Sequence, residues 1–250
     1  MRSEERAFFH KIKQAITVNP FSGARLDVDL ELTGLSKNVP VNQVLESLVH
    51  KVGQTVEGCL ERNNNSLNTM SAEDQQLIEF GILFRIFHLY CDRFDELFDQ
   101  QVEEGEGSCK VSFAGDFIAD VIGYGFGKED ALRFLSLFFQ MRRAYYFISQ
   151  VSGVSQCVKD FRKRLWNNIF TCDIELYDNH LRNRLEDFST MLLGETGTGK
   201  GLAASAIGRS GFIPFDEKTG KFSDSFAKTF ISINLSQFSE HLIESELFGH

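Results

Sequence analysis

The sequence predicts an all-helical first part followed by the opening of a phosphate-loop α/β part. Three observations carry this. Apolar residues recur at helical spacing from Glu4 to Val151. Gly194-Glu195-Thr196-Gly197-Thr198-Gly199-Lys200 stands between a short apolar run and a run of small residues. Thr229 to Leu235 alternates as a strand does.

Glu4 to Thr17 carries Ala7, Phe8, Ile12, Ala15 and Ile16 near one face, which predicts a short helix. Asn19-Pro20-Phe21-Ser22-Gly23 breaks it. Pro40 opens the clearest amphipathic stripe: Val41, Val44, Leu45, Leu48, Val49, Val52, Val56, Cys59 and Leu60. Asn63 to Ser66 ends it. Ser71, with Asp74 three residues on, resembles a capping box for a helix running to about Glu103. Its stretch from Leu77 to Tyr90 is apolar on nearly every side, as a central helix would be. Glu103 to Ser108 reads as a solvated loop and Phe113 to Ile122 as a further helix. Gly123-Tyr124-Gly125-Phe126-Gly127 lacks a preceding strand and a lysine, so it reads as a hinge. Lys128 to Val151 is another long helix, rich in Phe and Tyr, with Arg142 and Arg143 expected at a solvated edge.

Ser152-Gly153 is the expected boundary, dividing the chain into a helical, regulatory part at 1–152 and a second part at 153–250. Val154 to Phe170 and Asp173 to Glu186 read as helices, with Arg162, Lys163 and Arg164 on a solvated face. Phe188 to Leu193 reads as a buried strand, Gly201 to Ile207 as a helix with small residues toward a sheet, and Gly211 to Gly220 as a polar excursion. Ser239 opens a last helix.

Composition narrows the function classes. A net charge of -9 argues against the whole surface serving as a nucleic-acid platform. Five cysteines without a C-x-x-C spacing predict reduced thiols and no zinc site. The charged start MRSEERAFF lacks the apolar core of a signal peptide, and no run is long enough to span a bilayer, so a cytoplasmic protein without membrane contact is expected. His10, His50 and His88 are scattered, with no carboxylate or cysteine at ligand spacing. No catalytic constellation stands out in the first part.

The chemistry concentrates at 194–201, which fits the first seven positions of G-x-x-x-x-G-K-[ST]. Glycines let successive backbone N–H groups curl around phosphate oxygens. The helix that follows aims its positive end at the same anions. Lys200 adds a compact charge for the β and γ phosphates. Gly201 stands where Ser or Thr would touch Mg²⁺, so the metal needs water and a carboxylate from elsewhere.

The order GETGTGKG, a strand ending in Ile-Asn, then LIESELFGH resembles the AAA+ domain of sigma-54-dependent transcriptional activators, the bacterial enhancer-binding proteins. The resemblance covers the stretch from the loop to His250 well and Gly153 to Ser189 loosely; it does not reach the first part. It implies that Gly194, Glu195, Thr196, Gly197, Thr198, Gly199, Lys200 and Gly201 bind ATP, and that Asn234 is the nucleotide-state switch. It implies that Glu244, Glu246, Leu247, Phe248 and Gly249 lead into the sigma-contacting loop. The partner it implies is the sigma-54 RNA polymerase holoenzyme, engaged through a complete AAA+ domain in a ring homo-oligomer, with DNA bound only through a C-terminal domain beyond this chain. Two departures stand out: the family usually has Glu at the Gly201 position and Cys at the Leu235 position. No apolar strand ending in Asp-Glu follows the loop, and His250 falls just before the family's GAFTGA loop. The chain is therefore expected to be the front of a longer activator that binds ATP with Mg²⁺ ligands absent, without hydrolysing it. Its two strands would lack ladder partners, which makes the segment after Ser189 marginally stable and leaves the helical part to fold alone. The alternative is a helical protein-interaction module with a vestigial nucleotide loop.

Overall fold

The computed structural model describes residues 1–64, 66–184 and 187–234. Helices α1 (Ser3–Thr17), α2 (Gly23–Thr33), α3 (Val41–Glu61) and α4 (Ala72–Leu89) pack as one group. Helices α5 (Cys91–Glu104), α6 (Ala114–Gly123), α7 (Lys128–Ser149) and α8 (Gln156–Phe170) follow, with α7 at the centre of the second half. After the short α9 (Ile174–Leu176) and a wide turn at Tyr177–Leu181 comes α10 (Lys200–Gly208). The two strands among the described residues, β1 (Phe215–Asp216) and β2 (Lys221–Phe222), pair antiparallel with Phe215 opposite Phe222. Among those residues no helix is long and apolar enough to cross a membrane.

The helical stripes place the core as the spacing predicts. On α3, Val44, Leu48, Val52, Val56 and Cys59 are buried, while Val41 at its start is exposed. Ser71 caps α4 by accepting from Asp74 N at 3.3 Å. The reciprocal half of that box is replaced: the Asp74 carboxylate instead accepts from Arg6 Nε at 2.8 Å and from the N-terminal ammonium at 3.2 Å. Those donors tie α1 to the start of α4, and the Arg6 hydrogen bond, with the other positive charge beside it, holds the Asp74 carboxyl below its ordinary value.

Gly81 lets α1 approach α4 closely. A Cβ there would stand 2.4 Å from Phe9 Cε1, and Phe9 is fully buried. Overpacking of this kind costs about 1–3 kcal/mol, against roughly 1 kcal/mol that alanine gains over glycine in a helix. Gly81→Ala should therefore lower the urea midpoint; a raised midpoint would show that the ring moves aside freely.

Several expectations are corrected. The helix expected from Ser71 to about Glu103 is two helices, because Tyr90 leaves helical geometry between them. Its ring packs on Phe113 and Phe117, and its hydroxyl donates to Asp120 Oδ2 at 2.7 Å, which turns the chain so that α5 lies on α7. Phe188 to Leu193 forms no strand: Phe188 is 62% exposed, Met191 81% and Leu193 85%. Thr229 to Asn234 is likewise irregular, with Ile231 77% exposed; Leu235 lies outside the described residues. Arg143, placed at a solvated edge, is fully buried. Helix α2, not foreseen as an element, is capped by Ser22, whose Oγ accepts from Ala24 N, and is closed by Gly34 at φ +73°.

The chain just beyond the expected excursion contributes to the core. Phe222 stacks on Phe139 of α7 (ring centroids 4.4 Å apart), and Phe226 stacks on Phe98 of α5 (4.9 Å). Val111 N donates to Gly220 O at 2.9 Å, so the small hairpin is also tied to the loop before α6. Within the Ser152-Gly153 loop, Arg162 of α8 donates to Val151 O and Gly153 O, which closes the C-terminal end of α7.

Candidate functional site

The loop at 194–199 opens directly into α10, whose N-cap is Gly199. Gly197 (φ +86°) and Gly199 (φ +85°) adopt the left-handed conformation that side chains resist. A Cβ at Gly197, Gly199 or Gly201 would meet nothing within 4 Å, so the outer face of the turn is open. Thr198 Oγ1 donates to Glu195 O at 2.8 Å and folds the turn over its own start. Lys200 Nζ donates to Gly194 O at 2.8 Å and Glu195 O at 2.7 Å. The lysine thereby bridges the end of the loop to its beginning and sets its charge across the mouth of the turn.

The structure brings Gly194, Glu195, Thr198 and Lys200 into one hydrogen-bonded turn, with Thr196 and Gly197 exposed at its tip. Asn234 is exposed on the irregular stretch after Thr229. That stretch touches α10, since a Cβ on Gly208 would stand 2.7 Å from the Phe230 ring. Glu244, Glu246, Leu247, Phe248 and Gly249 lie outside the described residues. Asp216 ends β1 and Glu217 follows it, but Asp216 accepts from Lys218 N and Thr219 Oγ1 in a turn, and Glu217 pairs with Lys128 at 2.7 Å.

Residues that the sequence did not point to hold the far end of α10. Arg143 Nη1 donates to Arg209 O at 2.8 Å and Nη2 to Gly211 O at 2.7 Å. Gln140 Nε2 donates to Ser210 O at 2.8 Å and to Tyr177 Oη at 2.6 Å. Ser136 Oγ accepts from Phe215 N at 2.9 Å. Three side chains from one face of α7 thus satisfy the C-terminal end of α10 and the chain beyond it. A cation at a helix C-terminus also complements the negative end of the dipole. Burial pulls the Arg143 pKa down to about 9, which still leaves it charged at neutral pH. Ala203 and Ala206 are buried on α10, which packs on α7 and α8 in place of the expected sheet.

The turn's donors and glycines suit an anion such as a nucleotide phosphate: the left-handed glycines leave the loop's face unobstructed, and α10 begins there. A divalent metal is served less well. Gly201 offers no hydroxyl, and among the described residues no group of three or more His, Cys, Asp or Glu could hold a metal ion.

The Sigma-54 interaction domain family matches residues 174–250. The Sigma54-dependent transcriptional regulator SfnR of Pseudomonas fluorescens (strain Pf0-1) is 40% identical over 62 residues, which is 25% of this chain and 14% of that protein. The transcriptional regulator VasH of Vibrio cholerae serotype O1 is also 40% identical over 62 residues, 25% of this chain and 9% of the relative. The chain therefore spans only a small part of either relative. No solved structure matches. From residue 174 onward the chain is similar to the Sigma-54 interaction domain family, and one of the two relatives is named as a sigma-54-dependent transcriptional regulator.

Proposed function

We propose that residues 194–201 bind ATP and that the domain from residue 174 acts on sigma-54-containing RNA polymerase, with helical residues 1–152 as its regulatory part. The observation that carries this reading is the turn itself. Two left-handed glycines, a lysine bridging the loop's ends and a helix starting at its exit occur together inside the family match. The backbone of Thr196 to Gly201 and the Lys200 ammonium would hold the phosphates. Bound ATP would supply the phosphoanhydride whose state the domain reports to the polymerase. Assembly into a ring of identical subunits belongs to the same reading.

The test is calorimetric titration of the full chain with ATP, beside Gly199→Val. A side chain in the left-handed region costs roughly 1–2 kcal/mol, and valine also blocks the open face. Saturable binding that weakens roughly tenfold or more in the variant is expected. Equal affinity in both proteins would remove the loop from the site. One observation favours the alternative of an interaction module with a vestigial loop: Phe188, Met191 and Leu193, which flank the turn, are exposed to solvent. Under that alternative the wild-type titration shows no heat of binding.

A further inference from the structure

A cleft of about 840 Å³ opens between α1, α2, α3, α4, α5, α7 and α8, away from the 194–201 loop. An apolar recess of about 140 Å³ adjoins it, sharing Ile16, Arg25, Phe87, His88 and Met141. The size falls in the range of small-molecule sites, roughly 300–1,000 Å³. Its inner wall is aliphatic and aromatic: Leu45 and Val49 from α3, Phe87 from α4, Met141 and Tyr145 from α7, and Trp166 from α8.

The charges around it decide what would enter. Arg25 chelates Asp29 with both carboxylate oxygens about its Nε (2.9 and 3.0 Å) and also donates to Ala15 O. Arg85 pairs with Glu57 at 2.7 Å, and Arg142 pairs with Asp95 through two bonds. Each arginine on the wall therefore already has a carboxylate. The two other acids, Glu46 and Asp92, are exposed at the rim. An anionic ligand would lose hydration and meet only arginines already paired with carboxylates, which costs several kcal/mol.

Two polar side chains line both the cleft and its recess, Arg25 and His88; Arg25 is committed to Asp29. His88 stands edge-on to Phe84 and Phe87 (ring centroids 4.5 and 5.1 Å), between the cleft and its recess. Among the described residues its hydrogen-bonding neighbour is the weak Cys91 Sγ, 3.9 Å from Nδ1. Burial, with Arg25 and Arg142 nearby, lowers the His88 pKa to about 3, so the ring is neutral and offers one donor and one acceptor.

We propose that this cleft binds an uncharged, flat, mostly apolar small molecule carrying one hydrogen-bonding group, which His88 receives while the rings of Phe87, Tyr145 and Trp166 cover its faces. The site stands independently of the ATP reading, because its walls share no residue with the 194–201 loop. α7 contributes Met141 and Tyr145 to the cleft and Ser136, Gln140 and Arg143 to the grip on the end of α10. Occupancy is thus registered on the helix that also holds the phosphate-loop helix.

The probe is N-phenyl-1-naphthylamine, a neutral aromatic amine with a single N–H, titrated into the full chain. Trp166 is the chain's sole tryptophan and lines the cleft, so its emission should be transferred to the bound dye. Saturable binding at one site with loss of Trp166 emission is expected. The sulfonated analogue 1-anilinonaphthalene-8-sulfonate should bind at least roughly tenfold more weakly, as desolvating a charge requires. His88→Leu should weaken the neutral dye about tenfold through one lost hydrogen bond, and Leu45→Phe/Val49→Phe should exclude it. Dye fluorescence without loss of Trp166 emission overturns the site. So does equal or tighter binding of the sulfonate, and both readings use the wild-type protein alone.

Discussion

Replacing Lys200 with alanine should remove ATP binding to the full chain while leaving the urea midpoint almost unchanged. The ammonium has two jobs in the geometry. It bridges Gly194 O and Glu195 O, which keeps the loop curled, and under the proposed function it would present the charge that a triphosphate meets. Truncating one partner of a charge-assisted contact costs roughly 2–5 kcal/mol in binding, so affinity should fall at least roughly 30-fold. The fold loses little, because the bonds are at the surface, where substitutions usually stay within about 0.5 kcal/mol. Lys200→Arg is an informative companion. A planar fork cannot take the place of a compact ammonium between two adjacent carbonyls, so it should rescue only part of the binding. Calorimetry and urea unfolding on the same preparations separate the two effects. Wild-type affinity in Lys200→Ala would dismiss the assigned role.

Arg143→Ala should be the most damaging single change to stability in the described core. The side chain is fully buried and donates to Arg209 O and Gly211 O. Alanine would leave those carbonyls without donors, at about 1–3 kcal/mol each, and would open a cavity against Phe139, over whose ring the guanidinium sits at 4.9 Å. A total loss of about 3–5 kcal/mol follows. Arg143→Met keeps most of the volume and should recover part of it, since Arg143 Nε and Gln140 Oε1 have no partner even in the wild type. Urea unfolding measures the loss, and amide exchange across Lys200 to Gly211 should rise with it. A change below about 1 kcal/mol in Arg143→Ala would mean that the α10 terminus is held by something else.

The helices were legible because each carries its own period. The stripe on α3 marks its buried face with no information from elsewhere in the chain. The break at Tyr90 was not legible, since the apolar pattern runs through it without Gly or Pro; it depends on the Asp120 carboxylate, thirty residues on. The glycine–lysine turn was equally local, as every bond that shapes it lies between residues 194 and 200. Its flanks were a different matter. A strand needs a ladder partner, which alternation alone cannot supply, and the runs at 188–193 and 229–234 are irregular here. Arg143 could have been suspected: it stands four residues after Phe139 and four before Phe147, on the same buried face of α7. A cation in the middle of an aromatic stripe signals acceptors brought from far away. The cleft left no linear trace, because seven helices supply its walls.

The grip of α7 on α10 joins groups separated by 66 to 70 positions along the chain. During synthesis at about 5–20 residues per second, roughly 3 to 14 s elapse between the emergence of Arg143 and that of its acceptors. Over that interval the guanidinium keeps its water, and the phenylalanines beside it wait for Phe222 and Phe226 to arrive. A nascent chain of this protein therefore has a sticky, half-sealed stage on the ribosome, timed by the distance between two helices.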